Sequence, residues 1–183
     1  MLKKTFSYTI VACSIAAGVI ITSCNNHADK EEVANNRVFA DYHYALDSII
    51  KSKEGILSGI ELGQSVKLIP AREVSQSVEK TNDHITFEQT IDKISKYSIT
   101  YAFENDTITE MEVLITSSNG DEGDKILSDL KGYYTKKYTA PIMDKGYFVF
   151  NCFDSKKQNF TITITDNSGA SNSVIDMYVY REK

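Results

Sequence analysis

The clearest pattern in this chain is a strict alternation of apolar and polar residues, which predicts β-strands with one buried face. Residues 98–104 and 107–116 alternate on either side of the pair Asn105-Asp106 and predict a hairpin. Four further stretches are strand-like, at residues 85–89, 147–153, 159–165 and 173–181. The chain therefore predicts about six strands, with one dry face and one wet face.

Apolar residues three or four positions apart predict helices before and between these strands. A first helix is expected over residues 37–54. A second, short helix is expected to open at Pro70 and to carry Val74 and Val78 on one face. The third and most regular helix is predicted over residues 124–138.

The order of these elements predicts an internal duplication. Residues 70–117 and 123–181 each follow the order helix, strand, strand, strand, as a tandem repeat of one module would. The simplest arrangement that buries the apolar stripes is a curved antiparallel sheet of about six strands, with helices packed on one face. We therefore expect an α+β fold in one domain over residues 37–183.

The N-terminus has the plan of a secretory signal peptide, with two lysines followed by an apolar run of about 17 residues. Its end, Ile21-Thr22-Ser23-Cys24, resembles the bacterial lipoprotein processing site. The resemblance implies a signal peptide over residues 1–23, cleavage between Ser23 and Cys24, and acylation of Cys24. The protein would then be anchored by lipid in the outer membrane, on the periplasmic face or at the cell surface. An uncleaved anchor is the alternative, although the run is short for a membrane-spanning helix.

The segment after the cysteine, residues 24–36, is polar and acidic and predicts an acylated tether. Within it, Lys30-Glu31-Glu32 resembles the signal that sends lipoproteins of Bacteroidota to the cell surface, and a plain hydrophilic tether is the alternative. Thr107 and Ser48 each follow an aspartate and precede an isoleucine, as in the O-glycosylation sites of that phylum.

Two short stretches resemble a family of small envelope modules. Ile60-Glu61-Leu62-Gly63-Gln64-Ser65, followed by Glu73-Val74, is similar to the approach to the first helix in β-lactamase-inhibitor-protein-like modules and in outer-membrane assembly accessory lipoproteins. Lys137-Tyr138-Thr139-Ala140-Pro141 resembles the segment that ends the helix before their second hairpin. The resemblance implies a two-layer α+β fold and a non-catalytic role in binding another envelope protein.

Composition argues against several classes of function. Without the two lysines of the signal peptide, 18 basic and 25 acidic side chains give a net charge of −7, so the basic footprint of a nucleic-acid-binding protein is missing. His43 and His84 lack zinc-ligand spacing, and we expect no metal and no cofactor. Cys152 shares a strand face with Phe148 and Phe150, which predicts a core residue rather than a nucleophile.

No set of residues in the sequence points to catalysis. Glu110 and Glu112 share a strand face but alternate with apolar residues, which predicts a solvated sheet surface. Asp121, Glu122 and Asp124 lack the spacing of an EF-hand and are explained by the start of a helix. We therefore expect a protein that is not an enzyme, with a hydrolase as the remaining alternative.

Binding is favoured by the wet face of the predicted sheet, which would carry Thr100, Thr161, Thr163 and Thr165. The strand over residues 147–153 is apolar on both faces. Either it is covered on both sides, or Tyr147 and Phe153 form an exposed aromatic interaction patch. Two hypotheses follow: an envelope lipoprotein that binds another protein, and a surface accessory protein that captures glycan or peptide for uptake.

Overall fold

The computed structural model describes residues 37–169 and 171–182, and its main element is an eight-stranded antiparallel sheet. The strands are β1 (Ser77–Lys80), β2 (His84–Thr90), β3 (Ser95–Glu104), β4 (Thr107–Ser117), β5 (Ile142–Asp144), β6 (Tyr147–Phe153), β7 (Asn159–Asp166) and β8 (Ser173–Tyr180). The helices are α1 (Ala45–Ile49), α2 (Ile69–Arg72) and α3 (Gly120–Lys137), with a 3₁₀ turn at Val66–Leu68. The predicted α+β class and the single antiparallel sheet are confirmed, but the sheet has eight strands rather than about six.

The strand order is β1-β2-β3-β4-β8-β7-β6-β5, and it is symmetric about its centre. Each half of the sheet is preceded by helix and consists of four strands consecutive in sequence. The halves join where β4 pairs with β8, from Glu110 opposite Tyr180 to Ser117 opposite Ser173. The two edges of the sheet are β1 and β5.

Helix α3 packs against β8, β4 and β6, and it begins four residues earlier than the sequence predicted. The Asn119 side chain accepts a hydrogen bond from the Asp121 amide (3.0 Å) and so caps the first turn. Acidic residues lie in that turn and lysines in the last one, as the helix dipole favours. The buried side of the helix carries Gly123, Ile126, Leu127, Leu130, Tyr133 and Tyr134. Its apolar stripe therefore faces the sheet.

The region before the sheet differs from the predicted helix over residues 37–54, because only α1 is helical there. The Arg37 guanidinium donates to the carbonyls of Phe39 (3.2 Å) and Tyr42 (2.7 Å). The Tyr42 carbonyl is thus satisfied by a side chain rather than by an amide one turn further on, and the Phe39 carbonyl also accepts from the Tyr42 amide (2.9 Å) in a tight turn. Lys51 has a φ of +59°, which ends the helix. The spacing of apolar residues identified buried positions correctly but not the backbone that presents them.

The second predicted helix is also shorter than expected. It does contain Pro70 in its first turn, but it ends at Arg72, and Glu73 is already extended. Val74 is 89% exposed and Val78, in β1, is 59% exposed, so they do not form a buried helical stripe. The spacing of two valines was too little evidence for a helix.

The two additional strands, β1 and β5, are the edges of the sheet. They contain four and three residues, all of them exposed, so they lack the alternation that marks a half-buried strand. Short edge strands limit the backbone available for pairing with another chain.

The other strands match their predicted positions closely, and the core lies between them and the helices. Cys152 is 3% exposed, and burial raises the pKa of its thiol to about 12, in agreement with a core role.

The predicted signal peptide, the cleavage site at Ser23 and Cys24, and the tether lie outside the described residues.

Candidate functional site on the open face of the sheet

One face of the sheet is not covered by any element in the described part of the chain, and we call it the open face. It consists of the side chains at alternate strand positions that point away from α3. Its central row crosses seven strands through Thr86, Thr100, Glu112, Tyr178, Thr163, Val149 and Ile142. Strand pairing brings these residues together from positions far apart in sequence.

A shallow depression of about 220 Å³ lies at the middle of this face. Its lining includes Thr100, Glu110, Thr163, Tyr178 and Tyr180. It therefore straddles the junction of the two halves, where β4 meets β8.

The Tyr178 ring is held in place within the depression. Its hydroxyl donates a 2.8 Å hydrogen bond to Glu112 Oε1 on the neighbouring strand. This bond, assisted by partial burial, raises the pKa of Tyr178 to about 12. On the adjacent pair of strands the hydroxyls of Thr86 and Thr100 are 2.9 Å apart. The floor of the face is thus ordered by cross-strand contacts.

Aromatic and aliphatic side chains are exposed on the second half of the open face. Tyr147 is 44% exposed, Phe153 64% and Ile142 60%. Of the two alternatives for the strand over residues 147–153, exposure of Tyr147 and Phe153 is confirmed, and coverage on both sides is wrong for the described residues. Whether these two side chains bind a partner stays a prediction.

Carboxylates outnumber basic groups on the open face. The acidic side chains are Glu79, Glu88, Glu110, Glu112, Asp144 and Asp176, and the strand register places Lys96 and His84 among them. His84 Nδ1 is 2.9 Å from Asp83 Oδ1, which raises the pKa of the imidazole. The face is therefore acidic as well as aromatic.

The residues predicted from the wet strand positions lie where the alternation placed them. Glu110 is exposed and Glu112 half-buried on the open face. The threonines Thr100, Thr163 and Thr165 are half-buried on the same face, whereas Thr161, on that face by register, is buried, so its predicted exposure to solvent is wrong. Tyr178 and Tyr180 were not singled out, although their alternation with Met177 and Val179 was visible in the sequence. The register across β4, β8 and β7 is what brings all of them together.

Other predicted positions lie away from this face. Asp121 and Glu122 belong to the first turn of α3. His43 Nε2 is 2.8 Å from Glu122 Oε1, and neither His43 nor His84 hydrogen-bonds a serine in the described ranges. Residues 37–169 and 171–182 contain no cluster of three metal-ligating side chains.

The two predicted O-glycosylation positions differ in their surroundings. Thr107 is exposed directly after the turn at Asn105 and Asp106, both of which have positive φ. Ser48 is half-buried in α1, and its carbonyl accepts a 2.8 Å hydrogen bond from the Tyr97 hydroxyl. Modification at either residue stays a prediction, and Thr107 is the more accessible.

The fold and the site define an α+β protein whose antiparallel sheet is open on one side. Comparisons of the chain with protein-family models, with curated proteins and with solved structures find no significant match. Among the described residues, no helix has the length and apolar character needed to cross a membrane.

Proposed function

We propose that this protein is a lipid-anchored cell-envelope protein whose open face binds another protein without catalysing a reaction. The observation that carries the proposal is a broad sheet surface with exposed aromatic side chains and no covering element in residues 37–169 and 171–182. The anchor rests on the sequence Ile21-Thr22-Ser23-Cys24 alone.

The character of the open face favours a partner with a basic surface. Tyrosine and phenylalanine supply large contact area at low entropic cost, and they are enriched in binding interfaces. Tyr178 is fixed by Glu112, so part of its conformational freedom is already lost before binding. The surrounding carboxylates complement lysine and arginine side chains and would steer such a partner to the site.

Photo-crosslinking in intact cells tests the open face directly. A benzophenone amino acid at Tyr178 or Tyr147 is expected to give an adduct with the same protein from both positions. The matched control is Ser128, which is exposed on α3 behind the sheet. If Ser128 gives the same adduct, or if neither tyrosine gives one, the proposed face is wrong.

Substitution of Tyr147 separates binding from stability. Tyr147→Ala removes an exposed side chain, so we expect partner capture to be lost while unfolding free energy changes by less than about 0.5 kcal/mol. Phe150→Ala on the buried face of the same strand is the control and is expected to cost about 3–5 kcal/mol. A decrease of several degrees in the melting temperature of Tyr147→Ala would assign that residue to the core instead.

A second candidate function is the capture of glycan or peptide for uptake, which the tyrosine-lined depression favours. Protease shaving of intact cells distinguishes the two functions. A periplasmic binding protein is spared, whereas a surface accessory protein is removed. A Cys24→Ala variant is the control for the lipid anchor, because it is expected to lose labelling by a palmitate analogue.

A further inference from the structure

A second cavity lies in the helical layer, behind the sheet, and it differs in charge from the open face. It is a cleft of about 350 Å³ between residues 37–42 and the C-terminal end of α3. We call it the basic cleft, and its lining includes Lys53, Tyr133, Lys136 and Lys137. Its volume falls in the range of small-molecule sites.

The charges of the basic cleft do not cancel one another. Lys53, Lys136 and Lys137 contribute three positive charges, and Asp41 contributes one negative charge. Arg37 is neutralised by Asp47, with Nε 2.6 Å from Oδ2. The cleft therefore has a net charge of +2 in a chain whose formal net charge is −5.

Lys137 is held in the basic cleft by uncharged groups, which occupy its three N–H donors. Its ammonium donates to the carbonyls of Lys53 (2.8 Å) and Gly55 and to the Tyr133 hydroxyl (2.9 Å), which are all uncharged acceptors. In the described ranges no carboxylate lies within ion-pair distance of it. Partial burial lowers the pKa of Lys137, and the Glu61 carboxylate opposes this shift with a smaller contribution.

One side of the basic cleft is apolar. Tyr42 and Tyr133 meet edge to face, with ring centroids 6.2 Å apart, and Phe39 packs against Tyr133 in the same way at 5.3 Å. Val38 is 44% exposed beside them. A ligand that filled the cleft would need an apolar or aromatic part as well as negative charge.

We propose that the basic cleft binds a phosphate monoester with an apolar or aromatic body. Such an ester has a charge of roughly −1.5 to −2 at neutral pH, which matches the charge of the cleft. A carboxylate would supply only one charge. The proposal does not depend on the open face, because it uses different residues on the other side of the sheet.

Binding of phenyl phosphate to the full chain in detergent micelles, followed by calorimetry, tests this proposal. We expect binding at millimolar or lower concentration, and weaker binding of inorganic phosphate, which lacks the apolar part. Lys136→Gln changes an exposed residue and should weaken phenyl phosphate binding about tenfold, since a hydrogen bond to a charged group is lost. Lys96→Gln, on the open face, is the matched control and should leave binding unchanged.

Two results would overturn the proposal. One is an affinity for phenyl phosphate that Lys136→Gln does not alter. The other is binding of phenyl phosphate only to the double variant Glu31→Gln, Glu32→Gln. That result would show that acidic groups of the chain itself occupy the basic cleft.

A vesicle experiment identifies the source of the ligand. If phosphatidic acid vesicles compete with phenyl phosphate and phosphatidylcholine vesicles do not, the ligand is a lipid headgroup. If neither competes, the ligand is a free phosphate ester. Either result supports the assignment of the cleft to phosphate monoesters.

Discussion

The two halves of the sheet have the same strand order but are covered in different ways. Behind β1–β4 lie the short helices α1 and α2 and the carboxylate of Glu73, which is in contact with Lys51 and accepts a 2.5 Å hydrogen bond from the Tyr101 hydroxyl. Behind β8 and β6, and partly behind β4, lies the 18-residue helix α3 with its aromatic cluster. Both halves have an apolar core; the first half adds a buried carboxylate that pairs with Lys51, and the second adds the aromatic cluster of α3.

The halves differ on the open side as well. The first half presents mainly threonine, serine and glutamate, and the second presents Tyr147, Phe153, Ile142 and Tyr178. The shared strand order therefore sets the position of each side chain on the sheet but not its chemical character. The difference locates the exposed aromatic and aliphatic surface on β5–β8 and the acidic surface largely on β1–β4.

The largest expected effect concerns the ion pair in the first half. Glu73→Ala would leave the Lys51 ammonium and the Tyr101 hydroxyl without their shared acceptor, so we expect a loss of about 3 kcal/mol in unfolding free energy. Urea denaturation followed by circular dichroism measures it. The double variant Lys51→Met, Glu73→Leu should recover the part of this loss that comes from the unpaired ammonium, because apolar groups replace both charges, while the Tyr101 hydroxyl still lacks its acceptor. A loss below about 1 kcal/mol for the single variant would show that the two halves do not differ in this way.

A smaller effect is expected from the packing of α3 in the second half. A Cβ atom at Gly123 would overlap the side chain of Ser173 on β8, so Gly123→Ala should destabilise the protein by about 1–3 kcal/mol. Gly120→Ala, one turn earlier, meets no atom within 4 Å and is the matched control. It should cost nothing, since alanine favours helix. Equal effects of the two substitutions would contradict close packing of the helix on the sheet.

The smallest effect concerns the ionisation of Tyr178. Its raised pKa, about 12, means that the folded state favours the neutral phenol. The stabilisation is therefore present below pH 10 and is lost as the pH rises from about 10 to about 12. Tyrosine ¹³Cζ shifts measured against pH should show this value, and Glu112→Gln should move it towards 10. An unchanged value in Glu112→Gln would place the cause elsewhere.

Strands with one buried face were predictable from the sequence, because side chains in a strand alternate between the two faces. This is why β3, β4, β7 and β8 lie within a few residues of their predicted bounds. The edges β1 and β5 were not predictable, since all their residues are exposed and leave no apolar pattern.

The segment before the sheet shows a different limit of prediction from the sequence. Phe39, Leu46, Ile49 and Ile50 are buried, as a helical stripe would be, yet most of this segment consists of turns. Burial depends on where a side chain points, and turns fixed by Arg37 achieve it as well as a helix does. Periodicity alone therefore overestimated the helix.

The candidate site was partly predictable for a similar reason. Alternation placed Thr163 and Glu112 on the wet face, but only the pairing of β4 with β8 and of β8 with β7 makes them neighbours of Tyr178. Pairing between distant strands depends on tertiary structure and leaves no local pattern. The basic cleft depends likewise on contacts between residues more than 80 positions apart, such as Lys137 and Lys53.

The central position of β8 has a consequence for how the chain folds. β8 is the last of the eight strands to be synthesised, yet it pairs with β4 and β7 and joins the two halves. Before β8 is synthesised, the sheet consists of two pieces, one of four strands (β1–β4) and one of three (β5–β7). The edges at β4 and β7 are then unpaired. Formation of the native sheet must therefore wait for the final strand, and this closure over long sequence separations makes folding slow.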